Sequence, residues 1–113
     1  MNDNIIETDY GYEIVWANHK EYSGKILVFE KKDSSIPLHF HKTIHKTWFV
    51  NAGMFLVTWI NTEDGIAYSK ELPEGSSFHV PALMPVKLQS LSNNSAMAEC
   101  SNINDRVDYY RLG

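Results

Sequence analysis

The feature that most constrains this chain is a recurrence of short runs rich in Val, Ile, Phe, Tyr and Trp, each closed by turn residues. The runs are Tyr12–Ala17, Lys25–Glu30, Ile36–His41, Thr47–Asn51, Met54–Asn61, Ile66–Leu72, Ser77–Val80, Val86–Leu91, Ala96–Ser101 and Val107–Leu112. The segments between them, such as Asn51–Gly53, Asn61–Gly65, Pro73–Gly75 and Ser92–Ser95, carry the Gly, Asn, Asp or Pro that tight turns require. About ten strands at roughly ten-residue spacing is the pattern of a sandwich or barrel. No window of about 11 residues shows an apolar stripe at helical spacing with a cap at each end. The chain is therefore expected to be all-β. Closing the strands into an antiparallel jelly-roll barrel manages the sheet edges that so many strands would otherwise expose.

With 113 residues the chain has room for one domain, spanning 1–113, and for one core. Hydrophobic residues make up 43% and aromatics 12%, enough to fill that core, so disorder is not expected. Ten Lys and Arg against 14 Asp and Glu give a net charge of −4, which argues against a nucleic-acid groove. The single cysteine, Cys100, cannot form an internal disulfide. Residues Met1–Glu7 carry Asp3 and Glu7 without a basic region, unlike a signal peptide. No apolar stretch approaches the roughly 20 residues that cross a bilayer as a helix. A cytoplasmic protein without nucleic-acid or membrane partners is expected.

The chemistry concentrates at His39-Phe40-His41. In a strand, Leu38 and Phe40 face one side while His39 and His41 face the other, about 6–7 Å apart. Two imidazoles so placed can ligate one metal or act as an acid/base pair around one substrate. They can also be polar residues facing water. His45 follows across a turn, beside Lys46, and His79 is expected on the face opposite Phe78 and Val80.

The segment His39–Gly53 resembles the first motif of the cupin family: H-x-H, a spacer, an acidic position held here by Lys46, and a Gly. Pro73-Glu74-Gly75 through Pro81 is similar to the start of the second motif. Gly11–Ala17, Tyr22–Leu27, Glu99–Ser101 and Asp108–Arg111 are similar to segments of small cupins described as type II mannose-6-phosphate isomerase-like. The resemblance covers the chain from about residue 10 to its end and implies a jelly-roll fold and a homodimer. In metal-binding cupins, two His and a Glu of the first motif and a His of the second surround a divalent ion. His39 and His41 match, Lys46 replaces the Glu, and Val86 stands where the last His belongs. The resemblance thus implies a degenerate site holding no metal, or a weakly bound Zn, Ni, Mn or Fe on His39 and His41. A cation in place of a ligating carboxylate repels a divalent ion.

The acid/base candidates are accordingly His39, His41 and Lys46, with Lys46 expected to favour a neutral imidazole beside it. Trp48, of the same parity as Lys46, is expected to wall the pocket. Glu99 is a remote carboxylate that could face the barrel. Arg111 could bind a phosphate or carboxylate group, or pair with Asp108 at the surface. His41, Lys42, His45 and Lys46 form a local cationic cluster that would suit a small anion. Three readings remain open at this point. One is binding of a small molecule of sugar or carboxylate type. The other is isomerisation or epimerisation of a sugar derivative, metal-free or with a metal on the His pair. A structural or partner-binding role with a vestigial pocket is a third.

Overall fold

A computed structural model describes residues 4–103 and 107–113. Met1 and Asp3, read above in the sequence, lie outside the described residues. The chain folds into eleven strands: β1 (Ile5–Thr8), β2 (Gly11–Asn18), β3 (Ser23–Phe29), β4 (Ser35–Phe40), β5 (Lys46–Ala52), β6 (Met54–Ile60), β7 (Ala67–Pro73), β8 (Ser77–Val80), β9 (Val86–Ser90), β10 (Ser95–Ser101) and β11 (Tyr110–Arg111). Two antiparallel sheets form, one ordered β1-β2-β3-β10-β5-β8 and the other β11-β4-β9-β6-β7. This is an all-β jelly roll. No helix occurs among the described residues, so none is long and apolar enough to cross a membrane.

Strand alternation builds the core. Lys46, Trp48 and Val50 of β5 point inward, while Phe49 and Asn51 point out. Leu27 and Phe29 of β3, Met97 of β10, Phe55 and Val57 of β6, and Val86 and Leu88 of β9 meet them between the sheets. Phe29 meets Phe55 edge-on with centroids 5.0 Å apart, and Tyr10 stacks on Phe29 at 4.3 Å. Truncating a buried Phe of this kind costs about 3–5 kcal/mol. This apolar half of the interior leaves the other half, between β3, β5 and β10 on one side and β4 and β11 on the other, as a cavity.

Two segments differ from the sequence reading. Ile5–Thr8 forms an added edge strand on β2, through a hairpin at Asp9 and Tyr10. Val107–Leu112 was expected as a full strand, but only Tyr110–Arg111 pairs, with Phe40 and His39 of β4. The reason is local: Asp108 bonds a neighbouring loop instead of extending the ladder. His79 is exposed and Val80 buried, as their alternation requires.

Candidate functional site

The cavity has a volume of about 500 Å³. Its floor is made by charged residues at positions whose strand neighbours are core. Lys46 shares parity with Trp48, Lys25 with Leu27 and Phe29, and Glu99 with Met97. These groups are largely withdrawn from water, and they are connected. The Lys46 ammonium lies 3.5 Å from Glu99 Oε1, and Lys25 Nζ lies 3.6 Å from Glu99 Oε2 and 3.4 Å from Glu13 Oε1. Tyr10 donates its hydroxyl to Glu13 Oε2 at 2.8 Å, and the Trp48 indole N–H donates to Glu99 Oε1 at 2.8 Å. Burial alone would raise the Glu99 carboxyl, but the Lys46 and Lys25 ammonium groups outweigh it and hold it at about 2.

The histidines stand at the other side of this network. Nδ1 of His39 bonds the carbonyl of Pro37 at 2.7 Å, and Nδ1 of His41 bonds the carbonyl of Asp108. A carbonyl only accepts, so both Nδ1 atoms carry the proton and both neutral rings leave Nε2 as a base. Nε2 of His41 lies 3.1 Å from Lys46 Nζ, which donates to it. Burial, reinforced by the Lys46 charge, lowers His41 below the usual imidazole range and takes His39 down to about 3. Burial also lowers the Lys46 ammonium, with Glu99 pulling the other way. Tyr109 stacks on His39 with centroids 4.7 Å apart and meets His41 at 5.9 Å, which ties the rings to the C-terminal segment.

Asp108 anchors that segment. Its carboxylate accepts from the backbone N–H groups of Lys42, Thr43 and Ile44 at 2.7, 2.8 and 3.1 Å and from the Thr43 hydroxyl at 2.7 Å. Burial works against the charge, but these bonds win and hold the acid below its ordinary value. One residue therefore fixes the loop that follows His41 and, through its carbonyl, the His41 tautomer.

Three readings of the sequence are corrected here. Trp48 is not a pocket wall: it has the parity of Lys46 but lies fully buried in the core, beneath the Lys46 ammonium at 4.8 Å from its ring. Asp108 is committed to the loop amides and forms no ion pair with Arg111, which instead lines the cavity and bonds the carbonyl of Gly113. The cationic cluster is divided: Lys42 and His45 are exposed, with Lys42 over the ring of Tyr110, and neither lines the cavity. The lining carries Lys25, Lys46 and Arg111 against Asp9, Glu13 and Glu99, so its charges balance. His39, His41, Lys46, Glu99 and Arg111 do share this cavity. Lys25, Glu13, Tyr10 and Tyr109 were not singled out as site residues. For Lys25 the signal was present: a charged residue on the parity of Leu27 and Phe29 must either break the core or line a hole in it.

The donor set does not fit a divalent ion. The face of His41 Nε2 is taken by an ammonium, Glu99 is held by Trp48 and two lysines, and Val86, across the ladder from His39, is apolar and fully buried. Among the described residues no three His, Cys, Asp or Glu side chains converge as ligands.

The fold and the inward-facing histidine pair define a jelly-roll barrel with a polar pocket. The cupin family profile matches residues 3–107, and the chain belongs to the cupin family. Among solved structures, oxalate decarboxylase from Bacillus subtilis superposes with a TM-score of 0.82 at 17% identity, covering 95% of this chain and 29% of that one. The capsular polysaccharide assembling protein CapF from Staphylococcus aureus gives 0.81 at 14% identity, covering 96% of this chain and 32% of that one. The chain thus spans about a third of each, and at such identities the likeness is one of fold. No curated protein matches the sequence.

Proposed function

We propose that this cupin binds a small polar molecule, of sugar or carboxylate type, in the cavity lined by His39, His41, Lys46 and Arg111. The observation that carries this reading is the unbroken run of contacts from Tyr10 through Glu13, Lys25, Glu99 and Lys46 to His41, which crosses the cavity from the six-stranded sheet to the histidine side. A buried ion pair is a poor source of stability, because desolvation cancels most of its attraction. A barrel that only needed to fold would fill this space with apolar side chains. Alternating ammonium donors and carboxylate acceptors match the hydroxyl groups of a sugar, and Arg111 supports a carboxylate on such a ligand. The test is a panel of monosaccharides, sugar acids and small carboxylates, titrated while the His39 and His41 ring C–H resonances are followed. Shifts saturating with one compound, and lost in Arg111→Ala or Tyr109→Ala, are expected. Unmoved resonances across the panel would sink the reading.

A second reading, a metal-free isomerase or epimerase of a sugar derivative, is favoured by the two Nε2 bases beside an ammonium, since such chemistry moves a proton beside a carbonyl. It is checked by solvent deuterium entering a turned-over sugar derivative, with loss in His41→Gln. Two copies pairing through the outer face of the six-stranded sheet belong to the same proposal. Ile14, Ile26, Ala98 and Phe49 lie side by side across four strands there without a charge, and Phe49 is 46% exposed. Sedimentation of the native chain against Phe49→Glu reads this directly. The exposed free thiol of Cys100 is consistent with a reducing, cytoplasmic setting.

A further inference from the structure

We propose that Lys46 captures small carbonyl compounds covalently, forming an imine through its Nζ at the floor of the cavity. The proposal rests on the reading of this cavity as a small-molecule pocket and adds a reaction and an electrophile class to it. An amine that forms imines must lie where a solute can reach it, must be able to shed a proton, and needs an acid/base partner to remove water. Lys46 meets each requirement by geometry. It lines the cavity, and its Nζ donates at 3.1 Å to Nε2 of His41, an imidazole whose other nitrogen is committed to the Asp108 carbonyl. Glu99 Oε1 lies 3.5 Å away and would face the iminium charge as it now faces the ammonium. Burial lowers the Lys46 ammonium in support of this arrangement. Lys25, the other lysine of the wall, lies between the carboxylates of Glu13 and Glu99 instead, with no imidazole on its Nζ.

The step balances without an added oxidant or reductant. The Lys46 ammonium passes a proton to His41 Nε2, and the nitrogen lone pair forms a bond to the carbonyl carbon. The carbon–oxygen π pair moves to oxygen, which takes the proton from His41. The nitrogen then gives a second proton to His41, its lone pair forms the C=N bond, and the C–O bond breaks. The departing oxygen leaves as water with that second proton. Ammonium and carbonyl become iminium and water, the charge is unchanged, and His41 ends neutral. Arg111 on the same cavity would hold the carboxylate of an α-keto acid, whereas a neutral aldehyde would not need it.

The experiment incubates the full chain at neutral pH with sodium cyanoborohydride and either pyruvate or glycolaldehyde, then maps every lysine by peptide mass. Because His41 Nε2 stands ready to take its proton and the cavity holds the carbonyl against it, Lys46 should be alkylated several-fold faster than exposed Lys31 and Lys87. Pyruvate should show the larger preference, and Arg111→Ala should remove its advantage over glycolaldehyde. His41→Gln should slow labelling at Lys46 alone, and urea should erase the selectivity. Labelling of Lys46 no faster than of Lys31 and Lys87, with both probes in the folded wild-type chain, overturns the proposal. Titrating the same probes without reductant separates the two readings. Histidine resonances that shift while Lys46 stays unlabelled defeat the imine and keep the pocket; no shift and no label count against both.

Discussion

Lys46 Nζ lies 3.1 Å from Nε2 of His41, so an ammonium occupies the face of the imidazole that the H-x-H pattern alone would offer to a metal. The contact settles which atom of each group is free to act. It holds His41 as a base rather than a cation, and it takes one of the three N–H donors of Lys46. Because Glu99 balances Lys46 and Glu13 lies against Lys25, the wall is polar without being strongly charged.

Stability should fall as pH drops below about 6.5, earlier than carboxylates alone would cause. His39 has an ordinary value of 6.5 and is held at about 3 in the fold, by burial first and the Lys46 charge second. Between these values the unfolded chain binds a proton that the folded chain refuses, so stability declines as pH falls through the window. The lowered His41 adds in the same direction. Glu99, held at about 2 against 4.5, contributes stability above 4.5 that is lost as pH falls from there toward 2. Urea midpoints from neutrality down to about 4.5 should decrease in the native chain and decrease less steeply in His39→Gln, where His41 alone of the pair still contributes. A flat native profile over that range would contradict the buried neutral His39.

Asp108→Ala should destabilise the chain by about 2 kcal/mol, because it strips the acceptor from three backbone N–H groups and one hydroxyl. Asp108→Asn keeps one acceptor oxygen and should lose less. The specific readout is hydrogen exchange: the amides of Lys42, Thr43 and Ile44 should lose protection in the alanine variant while the β9 amides keep theirs. Equal loss across the sheet would mean that Asp108 acts on the whole fold and not on this loop.

Much of the architecture was legible because alternation is a strong signal wherever one face is buried: Trp48 and Val50 in, Phe49 out, Val80 in, His79 out. The strand at Ile5–Thr8 left little trace, since as an edge its residues alternate only between exposed and half-buried. Parity predicted which way Trp48 points but not how deep it sits; depth depends on Lys46 and Glu99 closing over it, a contact between residues 51 apart in sequence. The role of Asp108 was likewise hidden, because its partners lie 64 to 66 residues away. Lys25 was the readable omission, a charge placed in line with Leu27 and Phe29.

Glu99→Gln should cost about 3–5 kcal/mol, since it leaves the Lys46 and Lys25 ammonium groups buried without their shared carboxylate. Adding Lys46→Met should recover part of the loss, because Lys25 and Glu13 still balance each other. The double variant should therefore be more stable than the sum of the singles by about 0.5–3 kcal/mol in chemical denaturation. Additive losses would show that Glu99 is held by the Trp48 indole and not by the lysine.

Lys46→Glu together with Val86→His should create a divalent metal site. Val86 pairs with His39 across the β4–β9 ladder, so a histidine there enters the interior beside the existing imidazole. Glutamate at 46 removes the ammonium from His41 Nε2 and replaces a repelling charge with a ligand, giving the three or four donors that catalytic and structural sites use. Overpacking at the fully buried position 86 should cost about 1–3 kcal/mol, which binding of the ion would offset in a chain that still folds. Calorimetric titration with zinc should give one site per chain in the double variant and much weaker binding in the native chain and either single variant. A folded double variant that gains no affinity would show that position 86 does not approach the His39–His41 pair as the ladder places it.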